Sequence, residues 1–342
     1  MIFCTLFNYA YLPQGMALYR SLVSTLGEDF TLYILCMDSF VEEAYEYRKM
    51  RGVRLIRLAD IETDRLKAAK SSRTFGEFCW TCTGPLIRFV QELVPQGTLV
   101  TYVDADIAFF STPKAIEAEL GDGSVFIHEH DFAPEFAKLS AGSGRFNVGV
   151  TGVRKNEEGR ACLDRWIGQC LDECVMDPAA GKCGDQNYLD EWPKLYPNLV
   201  VSKSSGIGRA PWNITKNMVR TENGKVEIDG QPLVFYHYHG LRMLRRRFGI
   251  DPTMLTTGDY YVPPQIERSI YEPYVRELYR CQDRLRQIGY STEKTLPPLP
   301  NYFPHVTSRH LLFSCRGRPL GMSRSSKIMD WLYGTDNRPP AS

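Results

Sequence analysis

The chain has 342 residues, 43% of them hydrophobic and 24% charged, a globular composition that excludes extensive disorder. Its formal net charge of +1 excludes a global field that would draw it to nucleic acid or to a membrane. The length allows one large α/β domain or two smaller ones.

The opening residues, MIFCTLFNYAYLPQG, hold no basic region followed by a long apolar core, so no secretory leader is predicted. No later segment approaches ~20 consecutive apolar residues, the length a membrane span needs. Ten cysteines are scattered along the chain, which reads as reduced thiols in a cytoplasmic protein.

Residues 2–7 (IFCTLF) predict a short strand, and Met16, Leu18, Leu22 and Leu26 then follow helical spacing. Residues 30–38 (FTLYILCMD) and 53–61 (VRLIRLADI) predict two more strands. Helical spacing runs from Leu86 through Leu93 and stops at Pro95 and Gly97. The next strand, LVTYV, ends in Asp104 and Asp106. Strands separated by helices imply βαβ units and a mostly parallel sheet, whose ligands bind at the carboxyl ends of the strands.

Further along, residues 124–130 (SVFIHEH) and 145–153 (RFNVGVTGV) read as strands. Leu163, Trp166, Ile167, Cys170, Leu171 and Cys174 mark one face of a helix. Asn223 and Gly224 fit a hairpin turn. Residues 232–240 (PLVFYHYHG) predict a strand ending in histidines. After about residue 262 the character changes. Pro273 can open a helix, Tyr274, Leu278, Cys281, Leu285 and Ile288 line one side of it, and Gly289 can cap it. A proline-rich connector, LPPLPNYFP, leads to a tail with six Arg or Lys and two Asp from His305 onward, among aromatic and aliphatic residues. The predicted division is therefore 1–262, a catalytic domain, and 263–342, a helix, connector and basic aromatic tail.

Four stretches carry chemistry. Asp104 and Asp106 interrupt an apolar run, which is either a solvated turn or a site where both carboxylates meet one cation. Oxygen donors suit Mg²⁺ or Mn²⁺. A phosphatase of the haloacid dehalogenase type also places two aspartates after a strand, but Ile107 and Ala108 stand where it needs Gly and Thr. In HYHGLRMLRRR, His237 and His239 alternate at a strand end, open to a ligand or a packed role, and Arg242 is the arginine nearest Gly240. Asp185 and Gln186 in CGDQNYLD read alone as a helix cap. CWTC (79–82) has no second pair to complete a zinc site, and Cys170 and Cys174 fall on the apolar helix face, so packed thiols are expected. No phosphate-loop or dinucleotide fingerprint is present.

Taken in order, TYVDADIAFF, FNVGVTGV, GDQNYLD and HYHG resemble the motifs of a nucleotide-diphospho-sugar glycosyltransferase of the GT-A fold. The likeness is to the retaining family 8 group of glycogenin and bacterial lipopolysaccharide galactosyl- and glucosyltransferases, and covers roughly residues 1 to 245. It implies an α/β, Rossmann-like mixed sheet flanked by helices, with a C-terminal helical and basic appendage. It implies Mn²⁺ or Mg²⁺ held by Asp104, Asp106 and His237, and a nucleotide-sugar donor such as a UDP-sugar. Donor contacts would come from Phe7, Asn8, Tyr9 and Tyr11 at the base, and from Arg88, Ala105, Asn147, Gly149, Gly240 and Arg242. Asp185 and Gln186 would lie by the anomeric carbon. The implied reaction moves a hexose to a glycan or glycolipid, as in surface polysaccharide or lipopolysaccharide synthesis. The tail resembles those that attach such enzymes to the inner face of a membrane. Where the family carries Lys-Pro-Trp after His-x-x-Gly, this chain has Met243 and Leu244, and EFCWTCTGP and APWNITKN lie outside the family pattern. Rival readings are a sugar-nucleotide nucleotidyltransferase, which should carry a glycine-rich signature after the first strand, and a catalytically inactive binding protein of the same fold.

Overall fold

Seven strands form one mixed sheet in the structure, a computed structural model that describes residues 1–48, 50–245, 253–256, 260–289 and 312–313. In chain order the elements that build the site are β1 (Ile2–Phe7), α1 (Leu12–Leu26), β2 (Thr31–Cys36), β3 (Val53–Arg57), α2 (Phe75–Leu93), β4 (Leu99–Val103), β5 (Ile107–Phe109), β6 (Val125–Glu129), β7 (Phe146–Arg154), α3 (Glu157–Asp172), β8 (Leu199–Val201) and β9 (Phe235–His237). The sheet order is β8-β6-β7-β4-β1-β2-β3. β1 runs parallel to β2 and β4, and β2 to β3, whereas β7 is antiparallel to both β4 and β6. This is the α/β mixed sheet that the resemblance implied; the residue pattern alone implied a mostly parallel sheet, and β7 is the strand that departs from it.

Both faces of β1 are covered, which is why it reads as a nearly continuous apolar run. Successive residues of a strand point to opposite faces. Cys4 and Leu6 join a core with Leu86, Ile87 and Val90 of α2 and Leu163 and Trp166 of α3. On the other face Phe3 meets Phe109 at 5.9 Å, and Phe7 meets Tyr45 at 6.1 Å. Cys170 and Cys174 lie in the first of these cores, and the nine described cysteines are free thiols. Among the described residues, no helix is long and apolar enough to cross a membrane.

Several boundaries differ from the sequence reading. The third strand stops at Arg57, because the Asp60 carboxylate accepts the Arg57 N–H at 2.8 Å and turns Leu58–Ile61 helical. Helix α2 starts at Phe75, well before Leu86. Thr74 and Glu77 form a reciprocal capping box there, so CWTC lies inside a helix. The strand predicted over 232–240 shortens to Phe235–His237, held by its pairing with β5. Arg246, Arg247, the proline-rich connector and the tail other than Leu312–Phe313 fall outside the described residues.

The chain divides into two compact units, Met1–Arg220 with Glu227–His237, and Thr221–Val226 with Tyr238 onward. In the second unit, Asn223 and Gly224 take the positive φ values, 50° and 77°, that the hairpin turn requires. Its helix α4 (Glu272–Arg286) buries Tyr274, Leu278, Cys281 and Leu285, with Pro273 in its first turn and Gly289 just beyond its end at φ 84°. Tyr238 stacks on Tyr274 and donates a hydrogen bond to the Ile270 carbonyl at 2.9 Å.

Candidate metal centre

Parallel strands gather their carboxyl ends on one edge of the sheet. Asn8 follows β1, Asp38 follows β2, Asp104 follows β4 and His130 follows β6, each within two residues of its strand's end. β7 runs the other way, so Asn147 and Gly149 at its start reach the same edge.

After Val103 the backbone turns and returns as β5. The Asp104 N–H donates to the Gly149 carbonyl at 2.8 Å, and the Ile107 N–H to the Asp104 carbonyl at 3.2 Å. β9 pairs antiparallel with β5, placing His237 opposite Ile107, one residue beyond Asp106. A segment far along the chain thus delivers an imidazole to the two carboxylates. His237 Nε2 lies 3.2 Å from Asp106 Oδ1 and 3.7 Å from Asp104 Oδ2. One donor atom from each residue lies within 4.8 Å of the other two. Neighbouring ligands of an octahedral ion at ~2.1 Å stand roughly 3 Å apart, so the donor set fits a Mg²⁺- or Mn²⁺-sized cation after small adjustments.

The electrostatics match this geometry. Burial disfavours the His237 imidazolium, but Asp106, through charge and a hydrogen bond, and Asp104 outweigh it, and the pKa stands above the usual value. Burial raises the Asp104 pKa. His237 opposes that rise, Asp106 adds to it, and the Tyr102 hydrogen bond opposes it. The cluster holds two carboxylates and one imidazole, and so favours an added positive charge.

Gly149 explains why no larger residue suits that position of β7. A Cβ there would come within 2.8 Å of His237 Nδ1 and 2.7 Å of Asn147 Oδ1. Asn147 in turn links the strand to its neighbours. Its Oδ1 accepts the Gly149 N–H at 3.0 Å, and its Nδ2 reaches His130 Nε2 at 3.3 Å and Gln186 Oε1 at 3.4 Å. Asp185 is buried beside this group, and the Trp166 indole donates to its carbonyl at 2.9 Å. Burial, then Cys174 and Asp104, push the Asp185 carboxyl well above the usual carboxylate range.

The remaining expected residues sit as follows. Asn8 accepts the Ala10 N–H at 3.2 Å and starts the turn Tyr9–Tyr11. The Tyr9 N–H donates to Asp38 at 2.8 Å, and its ring meets the exposed Phe40 edge-on at 6.0 Å. Tyr11 is half-buried at the start of α1. Phe7 turns inward, with its ring where a Gly15 side chain would otherwise be, so it serves packing. Ala105 is buried in the turn between the two aspartates. Arg88 is not brought to the cluster. Its guanidinium pairs with Glu92 on its own helix and with Asp164 on α3. Gly240, at φ 79°, and Arg242 belong to the second unit.

Three residues near the cluster were not singled out from the sequence. Tyr102 donates to Asp104 Oδ1 at 2.8 Å. His130 stacks on Phe132, with centroids 4.8 Å apart. Trp212 sets its ring edge-on to both His237 and His130 at 5.4 Å and donates to the His130 carbonyl at 2.9 Å. APWNITKN therefore wraps the strand ends that carry the two histidines. CWTC contributes Trp80, whose ring lies where a side chain at Gly184 would be, directly before Asp185. His130 had a local sign in the sequence, the His-x-His alternation at a strand end shared with His237.

Fold and cluster together define an α/β protein with an Asp-x-Asp and histidine cluster, able to hold a cation, at the carboxyl edge of its sheet. No protein-family model matches the chain. It is 32% identical over 249 residues to the uncharacterized protein YfnF of Bacillus subtilis strain 168, covering 71% of this chain and 82% of YfnF. It is 31% identical over 262 residues to YfnD of the same strain, also uncharacterized, covering 76% and 83%. The chain belongs to the family of YfnF and YfnD. Among solved structures, it is similar to the galactosyltransferase LgtC in complex with donor and acceptor sugar analogues, at 13% identity and TM-score 0.48, over 86% of this chain and 98% of that one. Mouse xyloside xylosyltransferase 1 is similar at 13% identity and TM-score 0.43, over 69% and 96%. Neither likeness, at that identity and below a TM-score of 0.5, bears on the assignment, which rests on the residues.

Proposed function

We propose that the protein is a metal-dependent glycosyltransferase that moves a hexose from a UDP-sugar, with retention, to a glycan or glycolipid of the bacterial surface. The observation that carries this reading is the meeting of Asp104, Asp106 and His237 at the carboxyl edge of the sheet. That edge also holds Asn8, Asn147 and, through Asn147, Gln186. Mn²⁺ or Mg²⁺ held by the three residues would neutralise the negative charge that builds on a departing nucleoside diphosphate.

In this reading Asn8, Tyr9 and Tyr11 face the nucleotide base, while Asn147 and Gly149 line the sugar. Asp185 and Gln186 sit beside the anomeric carbon, where an amide and a buried carboxyl can orient the donor and exclude water. The resemblance gives Gly240 to donor binding, and Arg242 or Arg245 substitutes for the family's diphosphate-binding lysine, which this chain lacks. The basic, aromatic tail suits a peripheral contact with an anionic lipid surface.

The test is thermal unfolding with Mn²⁺, with UDP and with both. The reading expects stabilisation by UDP that depends on the metal, together with slow hydrolysis of one UDP-sugar in a donor screen. Asp106→Ala should abolish both effects and keep the fold. Full hydrolysis by that variant, or no metal-dependent stabilisation of the wild type, refutes it.

A further inference from the structure

We propose that the Tyr102 hydroxyl sets the metal preference of this site by confining Asp104 to a single coordinating oxygen, an inference that rests on the metal-site reading above. Tyr102 and Asp104 are two residues apart, so their side chains leave the same face of the chain. Tyr102 is 3% exposed, and its ring is fixed in the core with Leu86, Ile87 and Val148. A buried phenol needs an acceptor, and Asp104 Oδ1 supplies it at 2.8 Å.

The two oxygens of Asp104 are thereby divided. Oδ1 is engaged by Tyr102, and Oδ2 is the oxygen facing His237 Nε2 at 3.7 Å. Turning the carboxylate so that both oxygens face one cation would stretch or break that hydrogen bond, so the pinned group favours Oδ2 as its single donor. Small ions with octahedral demands are served by single oxygens. Ca²⁺ takes six to eight oxygens at longer distances and gains from carboxylates that bind through both. The hydroxyl therefore favours Mn²⁺ and Mg²⁺ twice, by holding a ligand in place and by denying Ca²⁺ a second oxygen. Tyr102 acts through Asp104 and is a positioning residue.

Tyr102→Phe removes the hydroxyl alone. Dissociation constants for Mn²⁺ and for Ca²⁺ are measured by calorimetry on the full chain, each metal alone and each with UDP. The Mn²⁺ constant should rise about tenfold, as for loss of other groups that orient metal ligands, while Ca²⁺ binding holds or tightens. The preference for Mn²⁺ over Ca²⁺ then falls about tenfold or more. An unchanged preference, whether both metals weaken equally or neither moves, overturns the role of Tyr102 while leaving the metal site intact. A wild-type protein that binds neither metal overturns the metal-site reading, and this inference with it. Circular dichroism checks the fold. If Tyr102→Phe does not fold, Tyr102→Met fills much of the same space without a donor, and the same two outcomes decide.

Discussion

His130 offers a quantitative check on the polar chain behind the cluster. Its ring is 4% exposed. Asn147 Oδ1 accepts the Gly149 N–H, so the amide nitrogen faces His130 Nε2, which must accept. The ring proton then sits on Nδ1 and is donated to the Gly144 carbonyl at 3.1 Å. A second proton would meet an N–H group, and burial brings the pKa down from 6.5 to about 4. Above 6.5 neither folded nor unfolded chain is protonated, and the group leaves stability unchanged. As pH falls below 6.5 the unfolded chain takes up a proton that the folded one refuses. Stability is lost at up to ~1.4 kcal/mol per pH unit until the folded value is reached. At about pH 5 the loss amounts to about 2 kcal/mol. Asp185 and His237, both shifted upward, run the opposite way, so the raw slope of the wild type is a mixture. His130→Gln isolates the term. Urea unfolding followed by tryptophan fluorescence should find the variant less stable near pH 7.5, by the cost of lost packing. That deficit should shrink by about 2 kcal/mol near pH 5. An equal deficit at both pH values refutes the neutral, proton-refusing histidine.

Gly149→Ala forces a methyl to within 2.8 Å of His237 Nδ1, so the imidazole must move by several tenths of an ångström. We expect about 1–3 kcal/mol of destabilisation, a cost typical of overpacking. Mn²⁺ affinity should also weaken about tenfold by calorimetry, and unchanged affinity would show that the ring tolerates the shift. Thr74→Ala breaks the capping box of α2 and should cost about 1 kcal/mol in chemical denaturation. Because Thr74 is exposed and outside the cluster, metal binding by that variant should match the wild type. Arg209 is 5% exposed and donates to Asn217 and Asp131, but the Asp131 side chain is 38% exposed and also pairs with Lys216. Arg209→Met therefore leaves no buried charge unpaired and should destabilise by only about 1–3 kcal/mol in chemical denaturation, through the hydrogen bonds lost. A loss well above that would mean Asp131 depends on Arg209 alone.

Much of the sheet was legible because its strands are buried on both faces and read as apolar runs. The elements that escaped were those decided by a hydrogen bond or a distant partner. Leu58–Ile61 has a strand-like pattern, yet Asp60 captures the Arg57 N–H and coils it. The first half of α2 holds Gly76, Gly84 and Pro85, which obscure the helix, although the Thr74–Glu77 spacing was a local clue to its start. Asp104 and Asp106 announced themselves by interrupting an apolar run. Their histidine was half legible: the alternation of His237 and His239 at a strand end left a ligand and a packed role open, because the meeting with the aspartates depends on the register of β9 against β5, fixed by residues more than a hundred positions apart. The resemblance then chose His237 as the ligand.

A more general rule links the visible and the hidden parts of the site. In a parallel sheet, the residue at which an apolar run gives way to a polar one marks the carboxyl edge. Asn8, Asp38 and Asp104 are such residues, and His130 lies two positions after the change at His128. Read strand by strand, each is an ordinary cap or turn. Read as one edge, they predict where polar groups converge, and the antiparallel β7 shows how the rule extends. A strand running the other way contributes its first residues, and Asn147 and Gly149 are the first polar residue and the first glycine of β7. Residues such as Tyr102 and Trp212 lie beyond that rule, because nothing in an apolar run distinguishes an aromatic that only fills space from one whose hydroxyl or ring meets a member of the cluster. They show themselves only in the contacts, a single 2.8 Å hydrogen bond in one case and ring centroids 5.4 Å apart at 77° in the other.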